Sequence, residues 1–346
     1  MTWFKKHIAN NAKTFIVAEA GINHNGDFKM ALELVLTAKD AGADCIKFQT
    51  FRTTSSESKN SFMPNYFSGH IGHLDKQAWS KSLEFSLEEF RQLKNYCEEV
   101  GIAFLSTACD VEGFNILKEI GIECIKIASA DVNNDMLLTC FKGETKSIIL
   151  STGMSTDEEI THAINFLKKE CNISEIALLQ CTSQYPAPYN QIDLNVIRTM
   201  QEKYSLPVGF SDHTEGIHIP MAAVALGAKI IEKHFTLDRA LPGVDHAASI
   251  EPKEFALMVR QIRDIEKAVG NFHKKIHDSE LINAQSMRKS LMASKPIRAG
   301  SIISYDDIVT KRPGTGIPPS QIDKIVGKKV LVDLSFEDFF QYHMFE

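Results

Sequence analysis

Short apolar runs rich in β-branched residues recur along the first 270 residues, separated by amphipathic stretches with helical spacing. The runs begin near Thr14, Asp44, Ile102, Glu123, Ser147, Glu175, Pro207 and Lys229. Eight strands alternating with helices predict a parallel sheet. Ser86 with Glu89, and Thr156 with Glu159, have the capping-box spacing of helix starts. Asp27 opens the first helix, and Pro252 suits the first turn of the last. Gly42, Gly101, Gly121 and Gly227 fall where a helix should turn back into a strand. With no evident open edge, a closed (β/α)8 barrel is the expected architecture, and a doubly wound open sheet is the alternative.

Two regions break this rhythm. Residues 50–81 show no helical periodicity and read as a long connection at the C-terminal face of the strands, either functional or a barrel-side insertion. Beyond Gly270 the pattern changes: Asn271 to Ser286 is polar and reads as a linker. Short β-like runs follow at 290–293, 301–303, 307–310 and 329–332, punctuated by Pro and Gly. The expected organisation is a barrel over 1–270, a linker over 271–286 and a small β-rich domain over 287–346. The aromatic-rich end, Phe336 to Glu346, matches no element.

A barrel of about 250 residues plus such an appendage accounts for the chain's 346 residues. Hydrophobic residues at 44% and charged residues at 24% are ordinary for a water-soluble globular protein. The net charge of −6 argues against a nucleic-acid surface, which needs clustered Lys and Arg. Seven cysteines lack close metal-binding spacing, and Cys45, Cys124 and Cys181 lie inside apolar runs, as reduced thiols would. No run approaches the roughly 18 apolar residues of a membrane span, and Met1 to Lys13 has no signal-like apolar stretch. A cytoplasmic protein with no membrane partner is expected.

Within this frame the most informative segment is 206–236. His213 and His234 end two consecutive apolar runs, spaced by about one strand–helix–strand step. Right-handed crossover makes such strands neighbours roughly 4.8 Å apart, with both imidazoles at C-terminal ends, where parallel α/β folds carry their chemistry. Two neutral imidazoles there can share a divalent cation, with Asp212 and Glu232 beside them. Each histidine taken alone reads better as a hydrogen-bonded residue at a strand mouth; the pair together favours the metal.

Glu19 ends the first strand in Ala18-Glu19-Ala20-Gly21, a placement suited to proton transfer or to an ion pair with Lys47 or Lys126. Both lysines sit inside apolar strands and need an anionic partner, for which a ligand in the barrel mouth is the expected source. Hydroxyls recur at strand ends, at Ser106-Thr107, Ser129, Ser151-Thr152, Thr182-Ser183 and Ser211, a pattern that fits a ring of donors for phosphate or carboxylate. No glycine pattern of a nucleotide site is present.

The ordered motifs Glu19-Ala20-Gly21-Ile22-Asn23-His24-Asn25-Gly26, Lys47-Phe48-Gln49, Ser151-Thr152-Gly153-Met154, Cys181-Thr182-Ser183-Gln184-Tyr185-Pro186, Ser211-Asp212-His213-Thr214, Glu232-Lys233-His234-Phe235-Thr236 and Lys311-Arg312-Pro313-Gly314 resemble the sialic acid synthase family from about residue 14 to 330. The resemblance implies a (β/α)8 barrel with a C-terminal antifreeze-like (SAF) domain. It also implies condensation of phosphoenolpyruvate with an N-acetylmannosamine-type sugar to a nine-carbon 2-keto acid, with release of phosphate. By motif, His213 and His234 match ligands of a divalent ion, usually manganese, with magnesium or cobalt as alternatives. Glu19 matches the catalytic carboxylate and Asp245 a carboxylate that contacts the sugar. Lys47, Thr107, Lys126, Ser129, Ser151, Ser183, Tyr185 and Ser211 match positions around phosphoenolpyruvate, and Gln49 lies toward the sugar. Arg312 matches an arginine that reads the sugar's N-acyl group across a domain-swapped homodimer.

The chain departs from that pattern at Thr107-Ala108-Cys109-Asp110, where Thr-Pro-Phe is usual, at Ser183 (Asn in some members), at Asp131 (often Glu) and in the tail after Leu334. Three other functions fit part of the pattern. They are a synthase condensing phosphoenolpyruvate with a sugar phosphate, a metal-dependent hydrolase, and a non-catalytic sugar-binding barrel.

Overall fold

The first unit alternates strand and helix, with three helices rather than one between its second and third strands. In chain order it holds β1 (Phe15–Gly21), α1 (Phe28–Asp40), β2 (Cys45–Thr50), α2 (Thr53–Ser56), α3 (Lys76–Ser82), α4 (Leu87–Val100), β3 (Ala103–Ala108) and α5 (Val111–Glu119). Next come β4 (Cys124–Ile127), α6 (Asp135–Thr139), β5 (Ser147–Ser151), α7 (Asp157–Lys169) and β6 (Glu175–Cys181). The unit closes with α8 (Val196–Tyr204), β7 (Val208–Asp212), α9 (His218–Ala225), β8 (Ile230–His234) and α10 (Pro252–Val269). Every strand starts within one residue of its expected position. This computed structural model describes residues 2–9, 13–58, 60–61, 75–144 and 147–346, and it divides into two compact units, 1–270 and 271–346.

Each strand pairs in parallel with the next, and β1 pairs with β8, so the sheet closes and is a TIM barrel rather than a doubly wound open sheet. The local signals act as expected. Ser86 and Thr156 form complete capping boxes with Glu89 and Glu159. The Asp27 side chain accepts the Lys29 amide, and all four turn glycines have positive φ.

Side chains alternate across the barrel wall. Ile16, Ala18, Ile46, Phe48, Ile148, Leu150 and Ile231 face the helices and join the main core. Phe15, Val17, Cys45, Leu105, Cys124, Ile149, Ala177, Leu179 and Ile230 form a separate apolar cluster that fills the barrel. Phe4 and Ile8 join this second cluster from the N-terminal segment, which winds into a π-helical turn over Lys5–Ala9. Trp3 meets Phe15 edge-on at 5.4 Å.

The connection 50–81, expected to be irregular, contains α2 and α3, both too short for a periodicity to register. Residues 59 and 62–74 of that connection lie outside the described residues. The segment 271–286, expected to be a linker, contains most of α11 (Asp278–Met287), whose ten residues include no buried one. A helix that buries no face has no apolar stripe, and its sequence reads as polar coil.

In the second unit β9 (Ser290–Ala293) and β10 (Ile308–Lys311) form an antiparallel pair. The runs at 301–303 and 329–332 contribute only isolated bridges such as Ile302 with Lys329. The unit has its own core, including Leu291, Ile303, Ile325, Val330, Phe340 and Phe345. The aromatic tail is therefore core material: Phe340 and Phe345 lie 5.7 Å apart within it.

Candidate active site

Toward the C-terminal ends of the strands the inward positions change from apolar to polar. One step above the apolar filling stand Glu19, Lys47, Thr107, Lys126, Ser151, Cys181, Ser211 and Glu232, all buried. His234 follows on β8 and His213 directly after β7. The register explains the grouping: Glu19 lies opposite Lys47 on one side and His234 on the other, Thr107 opposite Lys126, and Ser211 opposite Glu232.

Lys47 is the hub. Its Nζ lies 2.6 Å from Glu19 Oε2 and 3.7 Å from Glu232 Oε2, and donates to Thr107 Oγ1 at 3.1 Å. Lys126 lies 3.9 Å from Glu232 Oε1 and donates to the Ile127 carbonyl. Ser211 donates to Glu232 Oε1 at 2.9 Å. Both lysines thus have partners within the protein, and the ion pair between Glu19 and Lys47 is present.

Burial raises the Glu19 carboxyl to about 7, against the opposing pull of Lys47. Burial acts on Glu232 the same way, but Lys126 and Lys47 overcome it and hold the group at about 2. Burial lowers Lys126. Near neutrality two lysines face one firmly charged carboxylate and one half-protonated one, an arrangement with room for an anion.

The two imidazoles are neighbours, with ring centroids 5.4 Å apart. His213 Nδ1 is bonded to the Thr182 carbonyl at 2.7 Å, which requires a proton on that nitrogen and leaves Nε2 free. Burial disfavours a charge on this ring, yet Cys181, 3.8 Å away, and the Thr182 carbonyl raise its pKa. His234 Nδ1 is buried without a hydrogen-bond partner and faces Asp245 Oδ2 at 3.8 Å. Burial, with His213 and Lys47 nearby, lowers the His234 pKa and favours the neutral ring. Tyr185 lies against both rings, at 4.0 Å from His213 and 5.5 Å from His234.

Asp245, raised to about 6 by burial, completes this side. A Cβ on Gly21 would lie 3.2 Å from Glu19 Oε1, 3.2 Å from Gln49 Nε2 and 3.5 Å from Asp245 Oδ2. These three side chains converge on a backbone position whose φ of +51° suits glycine. Gln49 donates to Glu19 at 3.4 Å.

On the opposite side Ser129 Oγ accepts the Gly153 amide at 2.9 Å, and a Cβ on Gly153 would come within 2.3 Å of Ser183 Oγ. A side chain at this position would have to displace the Ser183 hydroxyl. Ser151 Oγ is buried there without a hydrogen-bond partner.

The expected ring of hydroxyls therefore splits in two. Ser129, Ser151, Ser183 and Ser211 belong to this mouth. Ser106 bonds to Thr50 and the Phe48 carbonyl, Thr152 to the Leu179 carbonyl and Thr182 to the Gln191 carbonyl, so these tie backbone instead. Arg312 is exposed in the second unit directly after β10. Glu232, named only as a neighbour of His234 in the sequence reading, proves central. Inward alternation carried back two residues from His234 identifies it.

The NeuB family matches residues 34–274, and the SAF domain matches 288–346. The chain belongs to the NeuB family. Among NeuB relatives, it is 42% identical to the N,N'-diacetyllegionaminic acid synthase of Campylobacter jejuni, over 91% of this chain and 95% of that one. It is 36% identical to the human N-acetylneuraminate-9-phosphate synthase, over 94% and 90% of the two chains. The crystal structure of an N-acetylneuraminic acid synthetase from Leptospira borgpetersenii superposes with a TM-score of 0.68 at 40% identity, covering 80% of this chain and 91% of that one. This NeuB chain is an enzyme of the synthase type. No helix among its described residues is long and apolar enough to cross a membrane.

Proposed function

We propose that the enzyme condenses phosphoenolpyruvate with an N-acylated mannosamine-type sugar, forming a nine-carbon 2-keto acid and releasing phosphate. The observation that carries this reading is the buried charged layer of the barrel, with Lys47 and Lys126 on one side and Glu19, Asp245 and two adjoining imidazoles on the other. The names of the legionaminic acid and N-acetylneuraminate-9-phosphate synthases support it.

Among the described residues no cluster of three or more His, Cys, Asp or Glu side chains is arranged to hold a metal ion. A donor set of two imidazoles still fits a divalent ion such as manganese: the unpartnered Nδ1 of His234 and the free Nε2 of His213 are available to it, and water and substrate oxygens would fill the other positions. When bound there, the ion supplies Lewis acidity to an aldehyde oxygen.

The chain's own groups do the rest. Lys47, Lys126, Ser129, Ser151, Ser183 and Ser211 fix phosphate and carboxylate, turning a two-substrate encounter into a positioned one worth several kcal/mol of barrier, roughly. Glu19, near neutrality in its pKa and opposite His234 in register, can take a proton from the water that adds to the second carbon of phosphoenolpyruvate and return one to an oxygen as the adduct loses phosphate by C–O cleavage. Asp245 and Gln49 meet the sugar hydroxyls, and Tyr185 covers the imidazoles. Arg312 is assigned to the N-acyl group in the site of a partner subunit, its exposure leaving it available. The same reading places the enzyme in the cytoplasm.

The same reading includes a homodimer, supported by Leu281, Ile282 and Met287 of α11 and Phe272 before it, exposed apolar residues that a second copy would cover. Light scattering should give twice the chain's mass; a monomer would remove the dimer from the reading.

The function is tested by phosphate release from phosphoenolpyruvate, with N-acetylmannosamine, its 6-phosphate and a 2,4-diacetamido-6-deoxy sugar offered in turn. Release should require one of these sugars and should stop after chelation and return with Mn2+. Release without sugar, or no release with any of the three, overturns the condensation. Full activity in chelator removes the metal.

A further inference from the structure

His213 stands one residue beyond β7, where the ladder to β8 has just ended at the pair Asp212 and Lys233. Alternation turns these two side chains away from the barrel interior. They are among the most buried ionisable groups in the molecule, with side-chain exposures of 0% and 1%. Lys233 Nζ donates to Asp212 Oδ2 at 2.6 Å and to the Thr214 carbonyl. Asp212 Oδ1 in turn accepts the Thr214 amide at 3.0 Å. A closed ring of bonds therefore joins the residue before His213, the residue after it and the residue before His234.

The two histidines differ in what else holds them. His234 is part of the sheet: it pairs with Glu19, its carbonyl accepts the Ile250 amide at 2.9 Å, and the following Phe235 amide bonds to the Glu19 carbonyl at 2.8 Å. His213 has no ladder partner. Apart from that ring of bonds, it has the bond from Ala187 to its carbonyl at 2.8 Å, the bond from its imidazole to Thr182, and the side-chain contacts with Cys181 at 3.8 Å and Tyr185 at 4.0 Å, none of which ties its backbone to β8.

A buried ion pair is a poor way to stabilise a fold, since an apolar pair of like volume commonly does as well. What the charges add is direction. We propose that Lys233 and Asp212, with the Thr214 backbone, form a positioning clamp that fixes the His213 imidazole at the separation from His234 at which both grip one cation. The clamp residues do not touch the ion, and the inference rests on the metal reading of the two histidines.

The test uses the full-length chain stripped of metal and titrated with Mn2+, with the free ion followed by electron paramagnetic resonance. The variant is Asp212→Asn/Lys233→Met, which removes both charges at once so that neither is left buried alone. The control is Phe255→Leu, in the helix layer against Phe235, which destabilises the barrel without reaching the clamp. The double variant should bind Mn2+ about 10–100-fold more weakly, with the KM for phosphoenolpyruvate at saturating Mn2+ within about twofold of wild type. The control should keep wild-type Mn2+ affinity.

Unchanged Mn2+ affinity in the double variant, or equal weakening in the control, overturns the clamp. Should the double variant not fold, the more conservative Asp212→Asn/Lys233→Gln, which also leaves no charge buried alone, is judged by the same criteria. A wild-type chain that takes up no Mn2+ overturns the metal reading itself, a result distinct from tight wild-type binding matched by the variant.

Discussion

The lower and upper halves of the barrel interior are built by the same eight strands and the same inward alternation, yet they solve opposite problems. Below, Phe15, Val17, Leu105, Ile149 and Leu179 fill the space with carbon, and Phe4 and Ile8 join them from outside the strands. Above, two residues further along the strands, two lysines and two glutamates, with two imidazoles just beyond, share a space that is also buried. The lower layer gains free energy by leaving water. The upper layer loses it, and recovers part through the contacts of Lys47 with Glu19 and of Glu232 with Ser211. Ser151 Oγ and His234 Nδ1 remain buried without hydrogen bonds, a cost that makes sense where a ligand is to arrive. The barrel is thus divided into a half that folds the chain and a half that the folded chain can carry.

The largest expected effect sharpens this division from above. Glu19→Gln keeps the volume of the side chain and its place beside Lys47, and should fold, bind Mn2+ and lose turnover by about 10³-fold. Steady-state phosphate release with a circular-dichroism melt checks both halves of the statement; activity within about tenfold of wild type would end the assignment of Glu19.

The next effect addresses the lower half. Phe4 is 4% exposed and packs into the cluster that fills the barrel. Phe4→Ala should cost about 3–5 kcal/mol, seen as a thermal midpoint lowered by several degrees, with kcat of the remaining folded enzyme unchanged. A fall in kcat without a fall in the midpoint would mean that the two halves are not separable.

What the sequence disclosed follows the same division. The strands were legible because each must be apolar on both faces over its lower half, so Ile148-Ile149-Leu150 or Ile230-Ile231 announce themselves. The helix starts were legible because a capping box is a local signal. His213, His234, Glu19 and the lysines stood out as polar residues in apolar runs. Glu232 was harder to place because its role needs the register: only the pairing of β7 with β8 shows that it faces Ser211 and two lysines. Ser106, Thr152 and Thr182 misled because a hydroxyl at a strand end looks the same whether it faces the mouth or ties down a carbonyl. The segment at α11 and the aromatic tail failed for reciprocal reasons. One is a helix with no buried face, and the other is core without regular structure.

The smallest effect tests whether the upper layer registers in the stability of the fold. Glu19 is an acid whose pKa in the native state, about 7, lies above its ordinary value of 4.5. Between those values the native state holds more protons than the unfolded chain, so the contribution of this group is full below pH 4.5 and is lost as the pH rises through 7. The size is about 3 kcal/mol. Glu232, held at about 2, works in the other direction: its contribution is present above 4.5 and is lost as the pH falls toward 2, so the two carboxylates act in separate windows. Thermal midpoints of wild type and Glu19→Gln between pH 5 and 8 isolate the first. The wild-type curve should fall more steeply across this range than the variant's, and parallel curves would show that Glu19 is already ionised throughout. A steeper wild-type slope would mean that the barrel gives up stability at neutral pH to keep a carboxyl poised beside Lys47, a cost absent from the apolar layer beneath it.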